Sequence, residues 1–344
     1  MVAAVVAESL LRVPLDDDTL SARPASFWER TREMHRALHQ RSDDPRLLYE
    51  PRPGASVEMD YGPAAFSAQG LREDRRVPIA GSGARVVMLG DSLVWGELVA
   101  LEDSLPRRLQ ARLGVEVLNF GVTGYDTAQE AAWYEAAARA YAPDVVVLVY
   151  CLNDMMSMSG PLHLYATDDE AAAYAAEQAA FQAAAPVRNE TLQRVYLEEL
   201  RRGPRTWAVV RHLWRWHYHN TFGGYTDEYL LSSAMPERAA RTAAALTTLG
   251  ASIRADGAEP VLVIAPAVYW WHRYPWGAVH EQVRSMGEAA GFTVFDPLPG
   301  WRARGLEPDD WRFEGDNLHY NAEGNDRLAE ATAAALAPLL RRRR

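Results

Sequence analysis

The chain has 344 residues, 48% of them hydrophobic, and a formal net charge of −10. That is ample apolar material for a full core, and the acidic balance argues against a general nucleic-acid binder, which would present a basic face. The sequence contains no lysine, which excludes Schiff-base catalysis, pyridoxal phosphate attachment and a Walker-type phosphate loop.

The amino terminus opens on a short apolar run, Val2 to Ala7, with no basic stretch before it and Glu8 interrupting it. It reads neither as a signal peptide nor as a membrane span, so no stable membrane insertion and a cytoplasmic location are expected. A single cysteine, Cys151, forbids an intramolecular disulfide and fits a reducing compartment. Residues 1–80 read as an extension that wraps the core. They comprise a helix over 27–38, a turn over 49–54 and an irregular extended stretch. The flexible Gly81-Ser82-Gly83 leads into the first strand of the main domain, 81–344.

From Arg85 onward, strands and helices alternate. Apolar, β-branched runs predict strands at 86–89, 115–120, 144–150, 260–265 and 292–296. Helical patterns fall at about 104–113, 127–141, 237–255, 277–291 and 323–340. This alternation predicts an α/β fold, a three-layer sandwich whose five-stranded parallel sheet is covered on both faces through right-handed crossovers. Residues 155–235 are too long for an ordinary connection and read as a helical cap insertion. Its first half, 168–185, is alanine-rich. Its second half carries Trp207, Trp214, Trp216, Tyr218, Phe222 and Tyr225, which with Tyr269, Trp270 and Trp271 suggest a pocket for an apolar or ring-containing group. No Gly-x-Gly-x-x-Gly fingerprint follows the first strand, so nicotinamide binding is not expected.

Four strand ends and turns carry chemistry-bearing residues. Gly90-Asp91-Ser92-Leu93 follows the first strand. Asn119-Phe120-Gly121-Val122-Thr123-Gly124 closes the second, and Cys151-Leu152-Asn153-Asp154 follows the third. Asp316-Asn317-Leu318-His319 precedes the final helix. An Asp three residues before a His can hold both side chains on one side of a turn, where the carboxylate fixes the tautomer of a proton-accepting imidazole. A serine, a histidine-carboxylate pair and an asparagine amide are what acyl transfer requires: nucleophile, base and oxyanion donor. His212, His217 and His219 cluster in sequence, but no cysteine and few acidic residues accompany them, so neither a metal nor a cofactor is expected.

Together the four blocks resemble those of the GDSL, or SGNH, serine hydrolases, over residues 85 to 340. The third block departs from the family's usual Gly-x-Asn-Asp, with Cys151 in the glycine position. The resemblance implies a flavodoxin-like SGNH hydrolase fold, Ser92 as nucleophile, His319 as base and Asp316 as its orienting carboxylate. It implies an oxyanion hole made by the Ser92 and Gly124 backbone N–H groups and the Asn153 side chain. The expected function is hydrolysis of a small-molecule carboxylic ester through an acyl-enzyme. The same site could instead serve an O-acyltransferase or a thioesterase, and a non-catalytic scaffold is disfavoured by the complete Ser-His-Asp set.

Overall fold

The computed structural model describes residues 25–79, 81, 83–155, 165–183, 233, 235–268, 271, 274–313, 316 and 318–342. The amino-terminal segment begins with helix α1 (Ala25–Leu38) and continues in two small antiparallel hairpins. These are β1 (His39–Arg41) with β2 (Tyr49–Pro51), and β3 (Ser56–Met59) with β4 (Gly62–Ala65). The stretch expected as a turn from Tyr49 therefore starts as a strand, because Tyr49 pairs with Arg41 and pushes the reversal on to Pro53 and Gly54. Leu47, Tyr49, Leu71 and Val77 are buried in the main core.

The alternating part runs β5 (Arg85–Gly90), α2 (Ser92–Trp95), α3 (Leu105–Leu113), β6 (Glu116–Gly121), α4 (Thr127–Ala136) and β7 (Val145–Tyr150). After α5 (Asp168–Ala183) follow α6 (Pro236–Ala255), β8 (Glu259–Ile264), α7 (Gly277–Ala289), β9 (Thr293–Phe295), α8 (Leu298–Ala303) and α9 (Ala322–Arg342). Helix boundaries follow local chemistry. Asp126 and Gln129 form a reciprocal capping box at the start of α4. Gly114, in the left-handed conformation, ends α3. The helix expected to reach Tyr141 stops at Ala136, and residues Ala138–Tyr141 tighten into a 3-10 turn.

The five strands form one parallel sheet in the order β6-β5-β7-β8-β9. Every residue of β5 and β7 is buried, as continuous apolar runs require when helices cover both faces. Helix α3 packs with α9, and α6 packs with both α4 and α7, giving a three-layer α/β/α sandwich with the flavodoxin-like strand order. The chain winds to one side of β5 through β6 and to the other through β7. The carboxyl ends of these three strands therefore open a crevice at the switch point. Arg85 anchors the start of β5, where its buried guanidinium donates to Glu116 and to the carbonyls of Pro78, Ile79 and Tyr141.

The start of the insertion docks on the amino-terminal segment. Tyr165 stacks on Tyr49 and donates to the His35 carbonyl, while Glu170 on α5 pairs with Arg41. Trp207, Trp214, Trp216, Tyr218, Phe222, Tyr225, His212, His217, His219, Tyr269 and Trp270 lie outside the described residues. Trp271 is buried, donates to the Leu306 carbonyl and packs on Tyr274 and Trp301. Among the described residues no helix is long and apolar enough to cross a membrane, and no group of three or more His, Cys, Asp or Glu side chains could hold a metal ion.

Candidate active site

Ser92 begins the four-residue turn of helix that follows β5. Asp91 caps that turn with its side chain, accepting from the Leu93 N–H at 2.9 Å. The turn fits because the neighbouring strand carries no side chain where it passes. A Cβ on Gly121 would lie 2.2 Å from the Trp95 backbone nitrogen. Gly121 pairs with Gly90 across the sheet, so the two chains leave it side by side, one toward Ser92 and the other toward Gly124. Gly124 has φ +78°, a conformation that favours glycine. Among the described residues, neither the Ser92 nor the Gly124 backbone N–H has a hydrogen-bond acceptor within the chain.

Asn153 lies in the 3-10 turn after β7. Its amide donates to the second oxygen of Asp91 at 3.1 Å, which ties the third block to the turn that carries Ser92. Asp154 closes the loop on itself: its N–H donates to the Cys151 carbonyl, and its carboxylate accepts from the Cys151 N–H and the Thr127 hydroxyl. Cys151 has no left-handed backbone, so the loop makes no conformational demand for the glycine usual in the family. Burial pushes the Cys151 thiol well above its ordinary range.

His319 arrives from the far end of the chain on a tightly built turn. Residues Arg312 and Tyr320 bridge its two arms, and the Tyr320 hydroxyl, itself buried, donates to the Pro266 carbonyl beyond β8. One Asp316 oxygen accepts from the Leu318 and His319 N–H groups, each at 2.8 Å. The other lies 2.9 Å from His319 Nδ1. On the opposite edge of the ring, Nε2 lies 2.9 Å from Ser92 Oγ. Burial raises the Asp316 carboxyl, but the His319 charge and the hydrogen bonds overcome it and hold the group at about 2. Burial likewise opposes the His319 charge. Asp316 above all, then Glu97 and Asp91, outweigh it and carry the imidazole up to about 9. The structure thus joins Ser92, His319 and Asp316 directly. It ties in Asn153 through Asp91 and sets Gly124 at the same sheet edge.

Two further residues at the site escape motif reading. Glu97 is buried, with one carboxylate oxygen 3.9 Å from His319 Nε2. Arg72 reaches in from the amino-terminal segment, stacks on Trp95 and donates to the carbonyls of Trp95, Gly96 and Val99. The only sequence signal for Glu97 is a lone charge in the apolar run 93–99. Arg72 has none, because nothing local connects it to a loop more than twenty residues away.

The profile of the GDSL-like Lipase/Acylhydrolase family matches residues 88–327, and the chain belongs to that family. Its members' class is that of ester-cleaving and acyl-cleaving hydrolases, and the protein is an enzyme of this class. Among solved structures it is similar to an acetyl xylan esterase, AlAXEase, with 13% identity, 73% of this chain and 99% of that one covered, and a TM-score of 0.43. TesA gives 15% identity, coverage of 74% and 99%, and a TM-score of 0.43. The lipase/acylhydrolase from Enterococcus faecalis gives 14%, 74% and 95%, and 0.42. No curated protein matches the chain.

Proposed function

We propose that the protein is a serine-dependent carboxylic ester hydrolase that works through an acyl-enzyme. The observation that carries this reading is the hydrogen-bond chain from Asp316 through His319 to Ser92, 2.9 Å at each step. Ser92 is then the nucleophile, His319 the base and Asp316 the group that orients it. Ser92 Oγ bonds to the ester carbonyl carbon as its proton passes to His319 Nε2, and the carbonyl π pair moves onto oxygen. The Ser92 and Gly124 N–H groups and the Asn153 amide stabilise that oxyanion. On collapse the bond to the alcohol oxygen breaks, and Nε2–H protonates the departing alcohol. Water enters by the same route, loses its proton to Nε2 and releases the acid. These steps need no cofactor.

The reading extends to the organisation of the chain. Residues 1–80 wrap the hydrolase domain of 81–344, and 155–235 form a cap whose aromatic residues suit an apolar or ring-containing ester. The test is hydrolysis of p-nitrophenyl esters of graded chain length, with fluorophosphonate labelling, by the wild type and by Ser92→Ala. Turnover and labelling should both vanish in a folded Ser92→Ala protein. Labelling that persists on another residue would remove Ser92 from the role. Capture of the acyl group by an added alcohol in preference to water would make the enzyme a transferase.

A further inference from the structure

Glu97 stands out as a buried carboxylate that the proposed reaction does not use. The chain is shaped around it. Gly96 before it and Leu98 after it both adopt left-handed backbone, with φ +84° and +70°. A left-handed leucine is uncommon and tends to mark a conformation enforced by its surroundings. The enforcement is visible. The Glu97 N–H donates to the Ser92 carbonyl at 3.0 Å, and Arg72 holds the carbonyls of Trp95, Gly96 and Val99 on either side. The result aims a carboxylate, 6% exposed, at the Nε2 edge of His319, 3.9 Å away. Among the described residues His319 is the only cation within ion-pair distance of it.

We propose that Glu97 is a positioning residue for His319, a second carboxylate that grips the ring from its Nε2 edge while Asp316 grips it from Nδ1. The proposal rests on the hydrolase reading above and deepens it. Once Ser92 Oγ has become an ester oxygen it is a poor acceptor, and the proton it gave up sits on Nε2. A carboxylate on that edge keeps the imidazolium oriented and charge-balanced until the alcohol or water takes over. It does so without forming a bond. The corresponding penalty is that the resting ring holds its proton more tightly, so a higher pH is needed before it can act as a base.

Several charges besides Glu97 act on the ring. Asp316 belongs to the same turn, with Arg312 behind it, and Asp91 lies at the end of β5. Arg72 and Tyr61 from the amino-terminal segment lie behind Glu97. Among the described residues, Asp316 and Glu97 are the only charged groups within 4 Å of the ring nitrogens.

The experiment is an NMR titration of the His319 ring nitrogens in the full-length protein, assigned with a His319→Gln variant, for the wild type, Glu97→Gln and Glu97→Asp. An opposite unit charge about 4 Å away is worth about one pH unit or more, a tenfold or greater change in proton affinity. Glu97→Gln should therefore lower the His319 midpoint by about that much, with Glu97→Asp between it and the wild type. In an active enzyme the acid limb of kcat/KM should move with it. An unchanged His319 midpoint in folded Glu97→Gln would overturn the proposal. If that variant does not fold, Glu97→Asp decides: a lowered midpoint supports the proposal and an unmoved one overturns it. The titration needs no turnover, so a protein that hydrolyses no ester would overturn the hydrolase reading while leaving this measurement interpretable.

Discussion

His319 is held between carboxylates strongly enough to keep its proton to about pH 9, so a reaction that starts with neutral imidazole should run fastest in alkali. The expected kcat/KM rises through an apparent pKa near 9 rather than near the ordinary 6.5 of histidine. A profile already flat above pH 7.5 would contradict that assignment. Asn153 presents a different case, because its amide, the proposed oxyanion donor, also donates to Asp91. Asn153→Ala should lower kcat by about 10²–10³ with a smaller change in KM, as expected for a donor acting on the transition state. If the bond to Asp91 were its whole purpose, the unfolding midpoint would fall and kcat of the folded fraction would hold. Cys151 is buried with its thiol pushed up, so thiol reagents should leave activity largely unchanged under native conditions. Rapid inactivation matched to modification of Cys151 would show the loop to be more open than its packing implies.

At the scale of elements, the turn after β5 is held from both sides. Gly121 on β6 makes room for it, and Arg72 from the amino-terminal segment stitches its carbonyls. Arg72→Met keeps most of the packing volume but strands three acceptors beside an unbalanced Glu97. Stability should fall by roughly 2–4 kcal/mol, the range for a buried network that loses one partner. The kcat of the folded fraction should fall as well, since the loop positions Ser92 and Glu97 together. Urea unfolding and steady-state kinetics on the same preparation separate the two effects. Loss of stability alone would mean that Arg72 only fastens the segment to the core. The second-strand loop is held in the same way, since Tyr49 donates to the Thr123 carbonyl and Tyr125 donates back to the Tyr49 carbonyl. The amino-terminal segment thus touches two of the three loops that converge on the site.

Across the whole molecule, activity and stability should respond to pH in opposite directions. His319 is raised to about 9, so its contribution is complete below 6.5 and is lost as pH rises through 9. Asp91, Glu97, Glu130 and Asp154 are raised by burial, and each also binds its proton more tightly in the folded state than in the unfolded one. Stability therefore falls as pH rises past their ordinary values. Asp316 runs the other way: its contribution is present above 3.8 and disappears as pH falls through about 2. Unfolding free energy measured in urea should thus be greater near pH 5 to 6 than near pH 9, where the proposed base, His319, becomes available. His39 offsets part of this, because burial lowers it to about 4 and its contribution fades as pH falls below 6.5. Equal stability at the two ends in a His39→Gln background would mean that the raised groups titrate alike in the folded and unfolded chains.

The sheet and the chemical groups at its edge were legible in the sequence because both are written locally. Short β-branched apolar runs such as Val145 to Tyr150 read as interior strands, and the Gly90-Asp91-Ser92 and Asp316-to-His319 turns carry their spacing within a few residues. The strand that starts at Tyr49 was not legible, because strand pairing depends on a partner eight residues away as much as on propensity. Nor were the roles of Glu97 and Arg72. Glu97 acquires a partner only when a turn more than two hundred residues later folds onto the same edge, and Arg72 only when the amino-terminal segment packs on that loop. The sequence by itself determined which groups could do acyl chemistry. Tertiary structure decided how strongly the imidazole holds its proton, because that depends on burial and on charges brought within 4 Å from distant parts of the chain.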